Sequence, residues 1–104
     1  MFINLTLHEV RIITDNEVLA IPPSGTVARC EQSEELVGEI DGVRVTRLVM
    51  GELVGLPPAS EGVTYIVSHI VLQAATQRHD LVKPGELVRN EAGDIIGCRS
   101  LCCL

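Results

Sequence analysis

Residues 62–80, with the sequence GVTYIVSHIVLQAATQRHD, decide the fold, because they read as a buried strand that runs directly into a helix. The β-branched and aromatic side chains of residues 63–67 favour a strand. Apolar residues then recur at helical spacing, so we predict a helix over residues 68–77 with Ser68 as its N-cap. A helix that starts at Tyr65 is the alternative. The predicted buried face of the helix has four members: Ile70, Val71, Ala74 and Ala75.

Three β-hairpins are predicted around this stretch, each from two extended runs that are separated by turn residues. The first joins residues 8–13 to 17–21, the second joins 36–40 to 43–49, and the third joins 86–89 to 95–101. The second hairpin has the strongest signal, because Asp41-Gly42 is typical of a tight two-residue turn. We therefore predict one α+β domain over residues 1–104, a mainly antiparallel β sheet or partial barrel with one α-helix.

The composition fits a single domain with an aliphatic core. The 104 residues are 46% hydrophobic and only 2% aromatic, so Val, Ile and Leu must build the interior. No run of about 18 apolar residues exists, and the N-terminus lacks the basic start of a signal peptide. These features predict a soluble cytoplasmic protein without a membrane partner.

The formal net charge of −6 argues against a nucleic-acid partner, because binding to a phosphate backbone needs clustered Lys and Arg side chains. The basic residues are mostly isolated arginines, and a single guanidinium suits one bidentate contact with an anion. The charge pattern thus leaves an anionic small molecule as the favoured class of ligand.

Two groups of residues are candidates for ligand binding. The first is the turn that contains Ser24 and Gly25, together with Arg29, where backbone N–H groups and one guanidinium can meet a phosphate or carboxylate. The ordinary interpretation of this segment is a rigid turn between strands. It is not a phosphate-binding P-loop, because the required glycine spacing and Lys-Ser/Thr pair are missing.

The second group comprises Ser68, Tyr65 and Arg78. A helix N-terminus presents free N–H groups, and the chain's one tyrosine can stack on a base. The ordinary interpretation is an N-cap serine and a core tyrosine. Arg78 lies about 13 Å along a helix from the cap, so a ligand would meet both residues only in a dimer.

Catalysis and metal binding have weaker support. His8, His69 and His79 are available as acid–base groups, yet no serine or cysteine stands in a nucleophile motif such as Gly-x-Ser-x-Gly. Three of the four cysteines lie in the last seven residues and two are adjacent, which fits free thiols better than zinc ligands or disulfides. We therefore expect no enzymatic activity, no metal and no cofactor.

Several motifs resemble those of a family of small uncharacterised proteins found in bacteria and tailed phages, and the resemblance covers nearly the whole chain. These motifs are Ile3-Asn4-Leu5-Thr6 with His8, Ile21-Pro22-Pro23-Ser24-Gly25 with Val27-Ala28-Arg29, Gly55-Leu56-Pro57, Tyr65-Ile66-Val67-Ser68, Asp80-Leu81-Val82 and Ile96-Gly97-Cys98-Arg99-Ser100-Leu101. The chain departs from the family pattern at Leu7, at Cys30 and in the Cys102-Cys103 tail. The occurrence of the family in phages implies a host-directed role, including capture of a nucleotide signal used in antiviral defence.

The leading hypothesis is therefore non-enzymatic binding of a small anionic metabolite, and the phage resemblance favours a nucleotide-derived one. The predicted ligand-binding residues are Ser24, Gly25, Arg29, Tyr65, Ser68 and Arg78. The alternative is a protein-interaction module that adds a strand to a partner or uses the apolar loop at residues 53–58. Because a small β-rich unit exposes sheet edges, we expect a homodimer or a larger homo-oligomer.

Overall fold

The computed structural model describes all residues from 1 to 104, in ten strands and one helix. In chain order the elements are β1 (Phe2–Asn4), β2 (Val10–Ile13), β3 (Val18–Ile21), β4 (Arg29–Ile40), β5 (Val43–Val54), β6 (Thr64–Ile66), α1 (His69–Ala74), β7 (Leu81–Pro84), β8 (Leu87–Arg89), β9 (Ile95–Cys98) and β10 (Leu101–Cys102). The predicted class, mainly β with one helix, is confirmed, and the sheets do not close into a barrel.

The first four-stranded sheet has the order β1-β6-β7-β10 and contains the stretch that decides the fold. Strand β6 lies between β1 and β7 and is parallel to both, whereas β10 is antiparallel to β7. Tyr65 and Ile66 of β6 are buried, as the β-branched and aromatic run predicts. Because β6 and β7 are parallel, the chain must return to the starting end of the sheet between them, and α1 lies in this connection.

The second four-stranded sheet has the order β3-β2-β9-β8 and unites the first and third predicted hairpins. Both hairpins are confirmed as antiparallel pairs, β2 with β3 and β8 with β9. A parallel contact of Ile12 with Cys98 joins them. Gly97 allows this approach, because a Cβ atom there would lie 2.8 Å from the carbonyl oxygen of Arg11.

The helix begins where the sequence predicts and ends earlier. Ser68 is extended and its side chain accepts a hydrogen bond from the N–H of Val71 at 3.3 Å, so its role as N-cap is confirmed. The helix ends at Ala74, three residues before the predicted end. The predicted buried face is half right, since Val71 and Ala75 are buried with Leu72, whereas Ile70 and Ala74 are exposed.

Strands β4 and β5 form a separate two-stranded ribbon, which we call the arm; the rest of the chain is the body. The predicted second hairpin is confirmed, and Asp41 and Gly42 both have positive φ, as a tight two-residue turn requires. Each strand has 12 residues, much longer than predicted. The radius of gyration is 16.7 Å, whereas a compact chain of this size has about 13 Å. The arm, which extends from the body, accounts for this difference.

The core lies wholly in the body and is small, with 13 of 104 residues buried. One cluster packs α1 against the first sheet, around Val67 and Val71, and Leu53 and Leu56 cover it from one side. The second cluster, around Ile12, Ile66 and Cys98, joins the two sheets. No helix has the length and apolar character needed to span a bilayer.

Candidate functional site

A cleft of about 620 Å³ lies between the two sheets of the body. Its first wall comprises residues at or just beyond the carboxyl ends of three parallel strands: Thr6 after β1, Val67 and Ser68 after β6, and Pro84 at the end of β7. Such ends leave backbone groups unpaired, and ligands of open parallel sheets commonly bind there. The topology therefore places this cleft where a ligand site is expected.

A second side of the cleft is apolar and belongs to the third hairpin. Leu87, Ile95 and Ile96 line it and are 49%, 54% and 42% exposed, respectively. Large aliphatic side chains so open to water are stabilised when an apolar body covers them. We call this side of the cleft, lined by the three aliphatic residues, the apolar floor. It suits the flat or hydrocarbon part of a small molecule.

A polar rim borders the floor and comprises His8, Glu9 and Arg11. The Nη2 atom of Arg11 donates to Oε1 of Glu9 at 3.0 Å, and both side chains are about half exposed. Most of the guanidinium donors therefore remain free for another acceptor. The carboxylate offsets part of the positive charge, so the rim suits a single anionic group better than a polyphosphate.

The shape of the rim depends on Asn4, the one buried polar residue. Its Nδ2 donates to the carbonyl oxygens of His8 at 2.8 Å and Ile21 at 2.9 Å. Its Oδ1 accepts from the backbone N–H of Thr6 at 2.9 Å and from its hydroxyl at 2.6 Å. These four bonds fold residues 4–8 into a turn that joins the first sheet to the first hairpin and fixes the edge of the cleft.

Ser68 is the one member of the predicted ligand-binding set that lines the cleft. Its Oγ already accepts from the N–H of Val71, which leaves the hydroxyl hydrogen and one lone pair for a ligand. The helix behind it has six residues, so the predicted anion site at its N-terminus is weaker than a long helix would provide. Ser68 therefore offers the cleft a hydroxyl and not the dipole of a long helix.

Tyr65 and Arg78 do not line the cleft, and their polar groups are engaged elsewhere. Tyr65 is buried and its hydroxyl donates to the carbonyl oxygen of Pro58 at 3.2 Å, which anchors the loop before β6. Arg78 donates through Nε and Nη2 to both carboxylate oxygens of Asp80 at 2.8 Å. This bidentate pair lowers the pKa of Asp80, and it fixes the turn between α1 and β7.

The other predicted group, Ser24, Gly25 and Arg29, also lies away from the lining of the cleft. Ser24 donates from its backbone N–H to the carbonyl oxygen of Asn4 and from its hydroxyl to that of Thr26. Gly25 has a φ of 99°, and Arg29 begins β4 as an exposed residue. The segment therefore has the features of the rigid turn that is its ordinary interpretation.

Cys98 is the one thiol in the cleft lining, and it is 2% exposed. Burial raises the pKa of this thiol, because desolvation disfavours the thiolate. Its Sγ lies 3.5 Å from the carbonyl oxygen of Arg11, to which it donates. A protonated, buried thiol of this kind packs the base of the cleft and is a poor nucleophile. The other three cysteines are also free thiols outside the cleft.

Comparison of the chain with protein-family models, with curated proteins and with solved structures finds no match. The resemblance to the bacterial and phage family thus stays a prediction from the sequence motifs.

Neither the apolar floor nor Arg11 is among the site residues predicted from the sequence. A signal for the floor was present, because Leu87, Ile95 and Ile96 stand in a short hairpin too small to bury all its aliphatic residues. Arg11 had no such signal. Only the pairing of β2 with β9 brings its strand beside the floor.

Proposed function

We propose that this protein binds a small ligand with an apolar body and one anionic group in the cleft between its two sheets. The observation that carries the proposal is the juxtaposition of an exposed aliphatic floor with a partly neutralised arginine across one cleft. No group in the cleft is arranged as an activated nucleophile, so the proposal is binding without turnover.

The dimensions of the cleft support a metabolite rather than a peptide. Its volume of about 620 Å³ lies within the roughly 300–1,000 Å³ that is typical of sites for small ligands. Leu87, Ile95 and Ile96 would cover one face of a flat ring, and Ser68 and Thr6 stand on the opposite wall. A nucleoside monophosphate has both parts, a planar base and a single phosphate.

The charges of the rim support the same ligand class. Arg11 would donate to the anionic group, and Glu9 would accept from an amino or hydroxyl group of the same ligand. Phosphate-rich ligands would instead meet repulsion from this carboxylate. We therefore place a nucleotide-derived signal with a single phosphate first among the candidates, which fits a phage protein that sequesters such a signal.

Thermal-shift and calorimetric titrations of the full chain with mononucleotides, cyclic dinucleotides and ADP-ribose test the proposal. Binding to the native state raises the melting temperature, because the free energy gained grows with ligand concentration over Kd. Arg11→Gln is expected to weaken binding by at least about tenfold, since it removes a charge-assisted hydrogen bond. Arg29→Gln is the matched control, because this exposed arginine lies outside the cleft lining.

A second variant tests the floor independently of charge recognition at the rim. Ile96→Asp places a carboxylate on the apolar floor and is expected to abolish binding of the ligand's apolar body. The fold is expected to persist, because Ile96 is 42% exposed. If folded wild-type protein shows no shift or heat with any member of the panel, or if Arg29→Gln weakens binding as much as Arg11→Gln, the proposed site is contradicted.

A protein-interaction module is the second candidate function, and the arm is the observation that favours it. The arm projects from the body with two unpaired sheet edges, which are suited to strand addition. The apolar loop named in the sequence analysis is less suited, because Leu53 and Leu56 pack against the core of the body. Retention of one stoichiometric host or phage protein in a pull-down, lost on deletion of the arm, would favour this candidate.

A further inference from the structure

His8 supplies the one aromatic ring in the lining of the cleft. The other aromatic and imidazole side chains of the protein lie outside this lining; they are Phe2, Tyr65, His69 and His79. The guanidinium of Arg11 is also planar, but it pairs with Glu9 and is assigned to the anionic group of the ligand. His8 is therefore the group in the cleft that is best suited to recognise a flat ring.

The imidazole of His8 is free of partners within the chain. The residue is exposed, and its hydrogen bonds with side chains involve only its backbone carbonyl oxygen. The adjacent carboxylate of Glu9 is paired with Arg11, so it does not hold the imidazole. The ring is therefore available to a ligand without the loss of any contact inside the protein.

The backbone that carries this ring is held in place, although it belongs to no strand. Residues 6–8 form a bend between β1 and β2. The carbonyl oxygen of His8 accepts from Nδ2 of the buried Asn4 at 2.8 Å and lies 3.0 Å from the hydroxyl of Thr6. Because the segment is already ordered, ligand binding costs less conformational entropy there. The bend thus presents a pre-positioned ring at the edge of the cleft.

We propose that His8 makes the cleft specific for a flat ring, by stacking its imidazole on the ring of the ligand. The inference rests on the proposed function and deepens it, because it names the apolar body as a planar ring, such as a nucleobase, and not an aliphatic chain. The apolar floor accepts either shape, since the hydrophobic effect is non-directional and follows the area buried. Stacking, in contrast, requires a π-face on the ligand.

Two small phosphates separate the planarity of a ligand from its charge and size. Phenyl phosphate and cyclohexyl phosphate carry the same phosphate group on a six-membered carbon ring, which is flat in the first and puckered in the second. Calorimetric titration of the full chain is expected to give phenyl phosphate a Kd about fivefold lower than that of cyclohexyl phosphate. Adenosine monophosphate is expected to bind more tightly than both, because its base offers a larger π-face.

Three variants identify the part of the His8 side chain that acts. His8→Ala and His8→Gln remove the ring, so they are expected to weaken phenyl phosphate about fivefold and cyclohexyl phosphate by less than about twofold. His8→Phe keeps a flat ring without nitrogens and is expected to retain the preference for phenyl phosphate. The fold should persist in all three, because residue 8 is held through its backbone carbonyl.

A matched control and a spectroscopic readout accompany these titrations. His79→Ala is the control, because this exposed histidine lies outside the cleft lining, and it is expected to bind both phosphates as the wild type does. In proton NMR, the imidazole signals that disappear in His8→Ala identify His8. They are expected to move upfield with phenyl phosphate and not with cyclohexyl phosphate, because only the aromatic ring produces a ring current.

The inference is overturned if the wild-type protein binds the two phosphates equally, or if His8→Ala weakens both to the same extent. It is also overturned if His8→Phe loses the preference, which would indicate that the ring nitrogens of His8 act by hydrogen bonding. In each of these cases, binding that still depends on Arg11 leaves the proposed function in place. Absence of binding with all three probes contradicts the proposed function and the inference together.

Discussion

The body and the arm use their apolar residues in opposite ways. In the body, residues such as Val67 and Val71 are fully buried between a sheet and the helix. In the arm, Val43 and Ile40 are 65% and 64% exposed, although they occupy a regular antiparallel ladder. Turn chemistry and strand pairing therefore determine the structure of the arm, whereas side-chain packing stabilises the structure of the body.

The largest expected effect of a single substitution is in the body, at Asn4. Asn4→Ala removes four hydrogen bonds, leaves the N–H of Thr6 without its acceptor and takes one donor from each of the carbonyls of His8 and Ile21. We expect the free energy of unfolding to fall by about 3 kcal/mol, because buried polar groups that lose their partners keep their desolvation cost. Urea denaturation measures it, and a loss below about 1 kcal/mol would contradict the role of Asn4.

The next effect compares the same substitution in the two regions. Val71→Ala in the body is expected to cost about 2 kcal/mol, because it opens a cavity at a fully buried site. Val43→Ala at the tip of the arm is expected to cost less than about 0.5 kcal/mol. Denaturation of both variants at one protein concentration makes the comparison. Equal losses would show that the arm is packed as tightly as the body.

A smaller effect is expected at the ion pair that fixes the turn after the helix. Because Arg78 lowers the pKa of Asp80, the pair stabilises the folded state above the ordinary carboxyl pKa near 4 and loses that effect as pH falls through the lowered pKa. Asp80→Asn is expected to cost about 1 kcal/mol at pH 7. The difference from wild type should shrink towards pH 2. A difference that grows as pH falls would have the wrong sign.

The smallest expected effect on the whole protein is at the turn of the arm. Gly42 has a φ of 79°, so Gly42→Ala strains the turn by about 1 kcal/mol. The strain is expected to loosen the tip of the arm with little change in the melting temperature of the protein, because the arm meets the core only near its base, where Leu53 packs, and the residues beside the turn are exposed. Differential scanning calorimetry of the variant checks this. A clear fall in melting temperature would show that the arm and the body unfold together.

The fold could be predicted wherever a local signal existed. The Asp41-Gly42 turn and the Ser68 cap depend on residues within four positions of one another, and both are confirmed. The burial of the helix face was harder to predict, because Ile70 and Leu72 are both apolar, yet Ile70 lines an open space between helix and arm whereas Leu72 is buried. The length of the arm could not be predicted from local signals either. Two shifts of register keep the strand ladder continuous where the alternation of apolar and polar residues breaks down.

The candidate site was less predictable than the fold, because its residues are distant in sequence. Arg11, Ser68 and Ile96 meet only through the pairing of β2 with β9 and the packing of the two sheets. Arg78 shows the converse case, since Asp80 stands two residues away and neutralises it. A close acidic neighbour in the sequence was therefore a usable sign against Arg78 as a ligand-binding residue.

Hydrogen–deuterium exchange of the backbone amides tests most directly whether side-chain packing stabilises the body while strand pairing alone holds the arm. The amides of β6, which lies between β1 and β7 and contains buried Tyr65 and Ile66, are expected to be strongly protected. The amides of residues 36–47, at the far end of the arm, are expected to exchange much faster, because an isolated two-stranded ribbon is marginally stable in water. Protection of these arm amides equal to that of β6 would contradict the account.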